Sequence, residues 1–159
     1  MLAGATTKES YQDFQLHLEF CVHSNPRTQG GREGDGNSGI YLQRRYEVQI
    51  MNSYGKEAGW SDCGALYKLR KPDVNASRPK GTWQTYDITF RAARFDKKGN
   101  KTENARITLM HNGVVIHNDV EIECKTCSGK PEGAKPGQIQ IQNHSNPTLF
   151  RNIWIVPHL

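Results

Sequence analysis

Five residues at alternate positions, Tyr41, Gln43, Arg45, Glu47 and Gln49, bring a phenol, two amides, a guanidinium and a carboxylate into one short stretch. Alternate side chains of an extended chain share a face, so a strand here would group all five on one side. That combination is richer in chemistry than the Lys, Ser and Thr of an ordinary solvated strand face. His144, in Gln142-Asn143-His144, adds an imidazole on the polar parity of a second such strand. Chemistry that needs two carboxyl groups is less well served. The same-face neighbours of Glu47 are Arg45 and Gln49, so a second carboxyl has to come from Glu19 or Asp87 on another strand. A divalent metal could replace some of the donors, with His144 and Glu47 as ligands, although no ligand spacing marks such a site. Two plainer readings compete: Arg45 and Glu47 as a structural ion pair, and His144 as a hydrogen-bonded loop residue.

The elements that must hold these groups read as strands. Ile40, Leu42, Tyr46, Val48 and Ile50 fall on the parity opposite Glu47 and predict a buried face. Arg44 breaks that parity, so a tight turn near Gln43-Arg44 should divide the stretch into two short strands. Asn37-Ser38-Gly39 reads as a turn before them, with Gly39 able to take a positive φ. In Phe14–Phe20 the apolar residues point inward, leaving His17, Glu19 and Cys21 on the other side; Tyr86, Ile88 and Phe90 alternate within Trp83–Ala92. Gln138–Gln142 repeats the pattern, Ile139 and Ile141 facing in and Gln138, Gln140, Gln142 and then His144 facing out. Further strands are expected at 63–67, 105–110, 114–116, 120–122 and 150–156, with His111-Asn112-Gly113 as a hairpin turn. The long Gly-, Asn- and Arg-rich loop from Ser24 to Gly36 is of a length that often shapes a binding site. Its glycines fit neither a phosphate loop nor a dinucleotide fingerprint. No helical period occurs. The expectation is an all-β, two-sheet antiparallel jelly-roll sandwich, one domain over residues 1–159, with Glu47, Gln49, Gln140, Gln142 and His144 lining one concave face.

Composition narrows the class. The net charge is +5, but the basic residues are dispersed, which argues against a nucleic-acid partner. No run of 18 apolar residues exists, so no membrane span is expected, and Met1–Ala5 lacks the basic leader and apolar core of a signal peptide. Cys124-Lys125-Thr126-Cys127 has no second pair at finger-like spacing. A zinc site would need Cys21, Cys63 or a distant His, so a local disulfide or free thiols are the simpler readings.

Several segments together carry a resemblance. Lys8-Glu9-Ser10-Tyr11-Gln12-Asp13-Phe14, Leu18-Glu19-Phe20, Asn37–Leu42, Arg45–Ile50, Trp83–Ile88, His111-Asn112-Gly113, Gln142-Asn143-His144 and Phe150–Trp154 occur in the order found in the 3-keto-disaccharide hydrolase family. The chain resembles that family over nearly its whole length. The resemblance implies a concanavalin A-like jelly roll, a carbohydrate substrate and export from the cytoplasm. Members usually begin earlier, with another strand and an export signal, and the 124–127 loop lies outside the shared pattern. It also implies a chemistry. A ketone at carbon 3 acidifies the hydrogen on carbon 2, and loss of that proton expels the group on carbon 1 before water adds back. Glu47 would then be the base, His144 the acid for the leaving group, and Arg45 and Gln49 the groups holding the enolate or sugar hydroxyls. Tyr41, Glu19, Gln142, Asn37 and Tyr86 complete the substrate-binding set, with Tyr41, Trp60 and Tyr86 stacking on sugar rings or simply packing. A lectin-like binding module and a conventional two-carboxylate glycosidase are the alternatives. Metal dependence, the sugar and the oligomeric state stay open.

Overall fold

A computed structural model describes residues 4–23, 36–144 and 146–158, and the loop expected from Ser24 onward lies almost wholly outside the described residues. Ten strands are present among them: β1 (Asp13–Val22), β2 (Ser38–Leu42), β3 (Tyr46–Ile50), β4 (Trp83–Arg91), β5 (Arg94–Phe95), β6 (Lys101–Glu103), β7 (Ala105–His111), β8 (Val114–Ile122), β9 (Gln140–Ile141) and β10 (Thr148–His158). They form an antiparallel five-stranded sheet, β10-β1-β4-β7-β8, a three-stranded sheet, β3-β2-β9, and the short ribbon β5-β6. The expected β-sandwich is therefore the fold, and no helix occurs among the described residues.

The core lies between the two larger sheets, where the alternating apolar residues meet. Phe14, Leu16, Leu18 and Phe20 of β1 and Tyr86, Ile88 and Phe90 of β4 pack with Ile40, Leu42, Tyr46, Val48 and Ile50 of the small sheet. Burial of this kind is the dominant stabilising term, and period-2 alternation directs it to one face of each strand. Tyr86 ties the sheets together. Its hydroxyl donates to the Gln49 carbonyl at 2.8 Å and lies 3.0 Å from Cys63 Sγ.

The turn expected at Gln43-Arg44 is present. Both residues are left-handed (φ 54° and 57°), and the Arg45 N–H donates to the Leu42 carbonyl. The hairpin at Asn112-Gly113 is also as expected, with positive φ at both residues. Other details differ. The stretch at 63–67 is no ladder strand; Leu66 bridges Val48, and the Gln49 N–H donates to the Ala65 carbonyl, so the segment covers the outer edge of β3. The two pieces expected at 114–116 and 120–122 are one strand, β8, interrupted by a register shift, with Asp119 left-handed nearby. β5 and β6 were too short and too polar to announce themselves by alternation.

Gly39 corrects a local expectation. It is not a positive-φ turn residue but a member of β2, paired with Gln49. Its lack of a side chain matters for another reason: a Cβ there would stand 2.6 Å from Glu47 Oε1. The glycine makes room for the carboxylate.

A candidate active site on the three-stranded sheet

Strand pairing arranges the outer face of the small sheet as rows. Glu47, Tyr41 and Gln140 form one row across β3, β2 and β9, and Gln49 pairs with Gly39 in the next. Beyond Gly39, the Gln142 N–H donates to its carbonyl, which brings Gln142 alongside. A cleft of about 560 Å³ opens over the first row, lined by Tyr41, Arg44, Lys130, Gln140, Gln142 and His144, with Ser128 and Asn143 completing its wall. Two strands separated by ninety residues of chain thus share one polar surface, as the matching parities predicted.

Glu47 lies beneath this surface rather than on it, only 3% exposed. The Tyr41 hydroxyl donates to its Oε2 at 2.8 Å, and its backbone N–H donates to Thr126 Oγ1 at 3.0 Å. Burial raises the Glu47 carboxyl above the usual carboxylate range, against the opposing pull of the Tyr41 hydrogen bond and the nearby His144. Burial, reinforced by the Glu47 charge, pushes the Tyr41 phenol strongly upward, so it stays protonated at neutral pH. The two form a carboxylate–phenol pair whose phenol faces the cleft.

Arg45 is elsewhere. It sits in the turn, and its guanidinium donates to Gln43 Oε1 and to the carbonyls of Pro131 and Lys135. It therefore anchors the 124–137 loop, neither binding in the cleft nor pairing with Glu47. Arg44 takes the position expected of Arg45, because two left-handed residues in the turn break the alternation and aim it at Gln140, whose Oε1 accepts from its Nε at 3.1 Å. The parity break at Arg44 was the available signal.

The 124–137 loop has a role that its cysteines obscured. All four cysteines are free thiols. Between Cys124 and Cys127, fully buried Thr126 donates its N–H and hydroxyl to the Arg45 carbonyl while accepting from the Glu47 N–H. The loop crosses so close that a Cβ on Gly129 would lie 2.0 Å from the Arg45 carbonyl oxygen. It thereby fixes the edge of β3 at the carboxylate and carries Ser128 and Lys130 into the cleft, residues that the sequence reading had not singled out.

The remaining candidates divide. Gln49 is buried beside Glu47, its Nε2 directed at Asn37 Oδ1 (3.4 Å) and its Oε1 without a hydrogen-bond partner among the described residues. Tyr86 is wholly in the core and cannot meet a ligand there. Glu19 lies on the far side of the molecule, on the outer face of the five-stranded sheet, accepting from Arg151 and Asn152. Asp87 shares that outer face, 2.6 Å from His17 Nδ1. Two sheets separate both carboxyl groups from Glu47, so neither can pair with it across a substrate. Trp60 is exposed, beside Leu69 and Arg70 rather than at the cleft. No group of three His, Cys, Asp or Glu side chains converges as a metal site among the described residues; of these residue types only His144 is among the described residues lining the cleft, with Glu47 beneath it.

Residues 3–156 match the model of the 3-keto-alpha-glucoside-1,2-lyase-like domain. The chain belongs to this family. A solved structure from Parabacteroides distasonis, described as a putative glycosyl hydrolase, is 35% identical with a TM-score of 0.80, covering 96% of this chain and 67% of that one. Two others of that description from the same organism share the fold at 16% and 18% identity, with TM-scores of 0.67 and 0.63; each match covers 96% of this chain, and 75% and 82% of theirs. No curated protein shows significant sequence similarity to the chain.

Proposed function

We propose that this family member cleaves glycosides oxidised at carbon 3, by elimination followed by hydration. The observation that carries the reading is a single buried carboxylate presented to a carbohydrate-sized cleft through a tyrosine, with no second carboxyl group among the described lining residues. A two-carboxylate glycosidase needs an acid pair roughly 5–9.5 Å apart, and both candidate partners are on the opposite face. A carbon acid next to a ketone needs only one base.

The route from Glu47 to the cleft runs through the Tyr41 hydroxyl. The carbon 2 proton passes to Tyr41 Oη as the phenolic proton passes to Glu47 Oε2. The electron pair left on carbon 2 forms the enolate of the carbon 3 ketone, then expels the bond from carbon 1 to the leaving oxygen. Arg44, steadied by Gln140, supplies donors to the enolate oxygen, and His144 protonates the leaving group. Water then adds to carbon 1 of the resulting enone while carbon 2 takes its proton back.

A lectin would use the same cleft and amides without turnover. Incubation with a 3-keto glucoside and its unoxidised counterpart separates the two readings: release from the 3-keto compound alone is expected. Glu47→Gln should lower that release by about 10²–10⁴-fold with little change in binding. Binding of both sugars without release would leave the lectin.

A further inference from the structure

The cleft does not end at Gln142. It shares Gln142 and Asn143 with a second depression of about 530 Å³. That depression shares Ala5, Ile141 and Ile153 with a groove of about 190 Å³, whose other walls include Leu16, Leu18 and Ile155. The groove exists because the sheets differ in width. β10 is an edge strand of the five-stranded sheet, and the three-stranded sheet leaves it incompletely covered, so Ile153 is 47% exposed while neighbouring Leu16 and Leu18 are buried.

Polarity falls in steps along this track. Arg44, Lys130 and His144 stand at the Tyr41 end. The middle combines Phe150 with three buried oxygens lacking hydrogen-bond partners among the described residues: Gln142 Oε1, Asn146 Oδ1 and Thr148 Oγ1. The far end is aliphatic. We infer that the track receives the leaving group, and that the preferred substrates are glycosides with an apolar aglycone rather than a second sugar. The assignment of the track to the leaving group rests on the reaction proposed above. A second sugar pushed further would bury most of its hydroxyls against Ile141, Ile153 and Ile155, where only Thr6 and Thr7 bring polar side chains to the groove wall among the described residues, and unpaired polar groups are costly to bury. The track turns around the strand rather than running along it: adjacent Gln142 and Ile141 face opposite sides, Gln142 in the cleft and Ile141 in the groove, and the middle depression, lined by both, joins the two.

Calorimetric titration with methyl glucoside and hexyl glucoside, unoxidised and below the micelle-forming concentration, reads the track without the reaction. Hexyl glucoside should bind about tenfold or more tightly than methyl glucoside. Ile153→Asn should remove that advantage and leave methyl glucoside unaffected; Ile153→Trp, which narrows the groove and keeps it apolar, guards against a folding defect in the first variant. Turnover of the 3-keto forms of methyl glucoside, hexyl glucoside and cellobiose should be fastest for hexyl. Equal binding of the two glucosides, hexyl binding indifferent to both Ile153 variants, or faster turnover of 3-keto-cellobiose overturns the inference, while turnover of any of the three leaves the proposed reaction standing. If none turns over but hexyl binding still depends on Ile153, the reaction falls and the groove stands as a glycoside-chain site.

Discussion

Tyr41→Phe is the sharpest perturbation of the proposed relay. It deletes one oxygen, the donor 2.8 Å from Glu47 Oε2, and keeps a ring that is only 6% exposed, so packing survives. A hydrogen bond to a charged group is commonly worth about 1.5–3 kcal/mol. Part of that returns, because Glu47 in the variant can protonate instead of remaining an undersatisfied anion. If the carbon 2 proton travels through Tyr41, kcat/KM on a 3-keto glucoside should fall about 10²–10⁴-fold, the usual value of a positioned base. Two further readouts exclude a merely structural role. Glu47 acts as base when deprotonated, so kcat/KM should rise with pH through its already elevated pKa; removing the Tyr41 hydrogen bond, which lowers that pKa, should move this acid limb to higher pH. The double variant Tyr41→Phe, Glu47→Gln should be no slower than the worse single variant, because both changes break one relay. Tyr41→Phe within about threefold of the parent rate, with an unmoved acid limb, would refute the relay and return Glu47 to direct contact with substrate.

Three other outcomes follow from the same geometry. His144→Ala should slow release of an alcohol leaving group far more than release of nitrophenolate, which leaves without protonation; equal losses on both would remove His144 from the acid role. Gly39→Ala should leave the sheet paired but displace the Glu47 carboxylate from its place over β2, lowering kcat/KM by about 10²-fold with only modest loss of thermal stability. His111, wholly buried with Nε2 bonded to Gln84 Oε1, has its pKa lowered to about 4 by burial. Its neutral form is favoured in the folded state, so this stability is complete above the unfolded value near 6.5 and is lost as pH falls towards about 4, on the order of 3 kcal/mol from this one group. Urea midpoints measured from pH 7 to 4.5 should decline over that interval, and a flat profile would contradict it.

Much of the scaffold was written in period-2 alternation. Ile40, Leu42, Tyr46, Val48 and Ile50 are all in the core, and the facing parity put Glu47 and His144 on one side of the molecule although they are distant in sequence. Alternation is a property of a single extended chain, so it can be read from one stretch at a time. What it cannot specify is the partner strand, the register, or the path of a loop. Arg45 shares Glu47's parity and still leaves the cleft, because a turn of two left-handed residues resets the direction of every side chain within it. Glu19 and Asp87 have the polar parity of their own strands, but those strands belong to the other sheet, so the same parity points to the opposite surface. The sequence by itself determined an all-β chain, its buried faces and a lone carboxylate without a same-strand partner. Only the tertiary structure decided that Tyr41 stands between this carboxylate and the cleft, that Thr126 and Arg45 fix a loop against β3, and that sheets of unequal width leave an apolar groove beside the site. Each of these depends on side chains from distant segments meeting across sheet edges, a relation that strand pairing creates and no local pattern encodes.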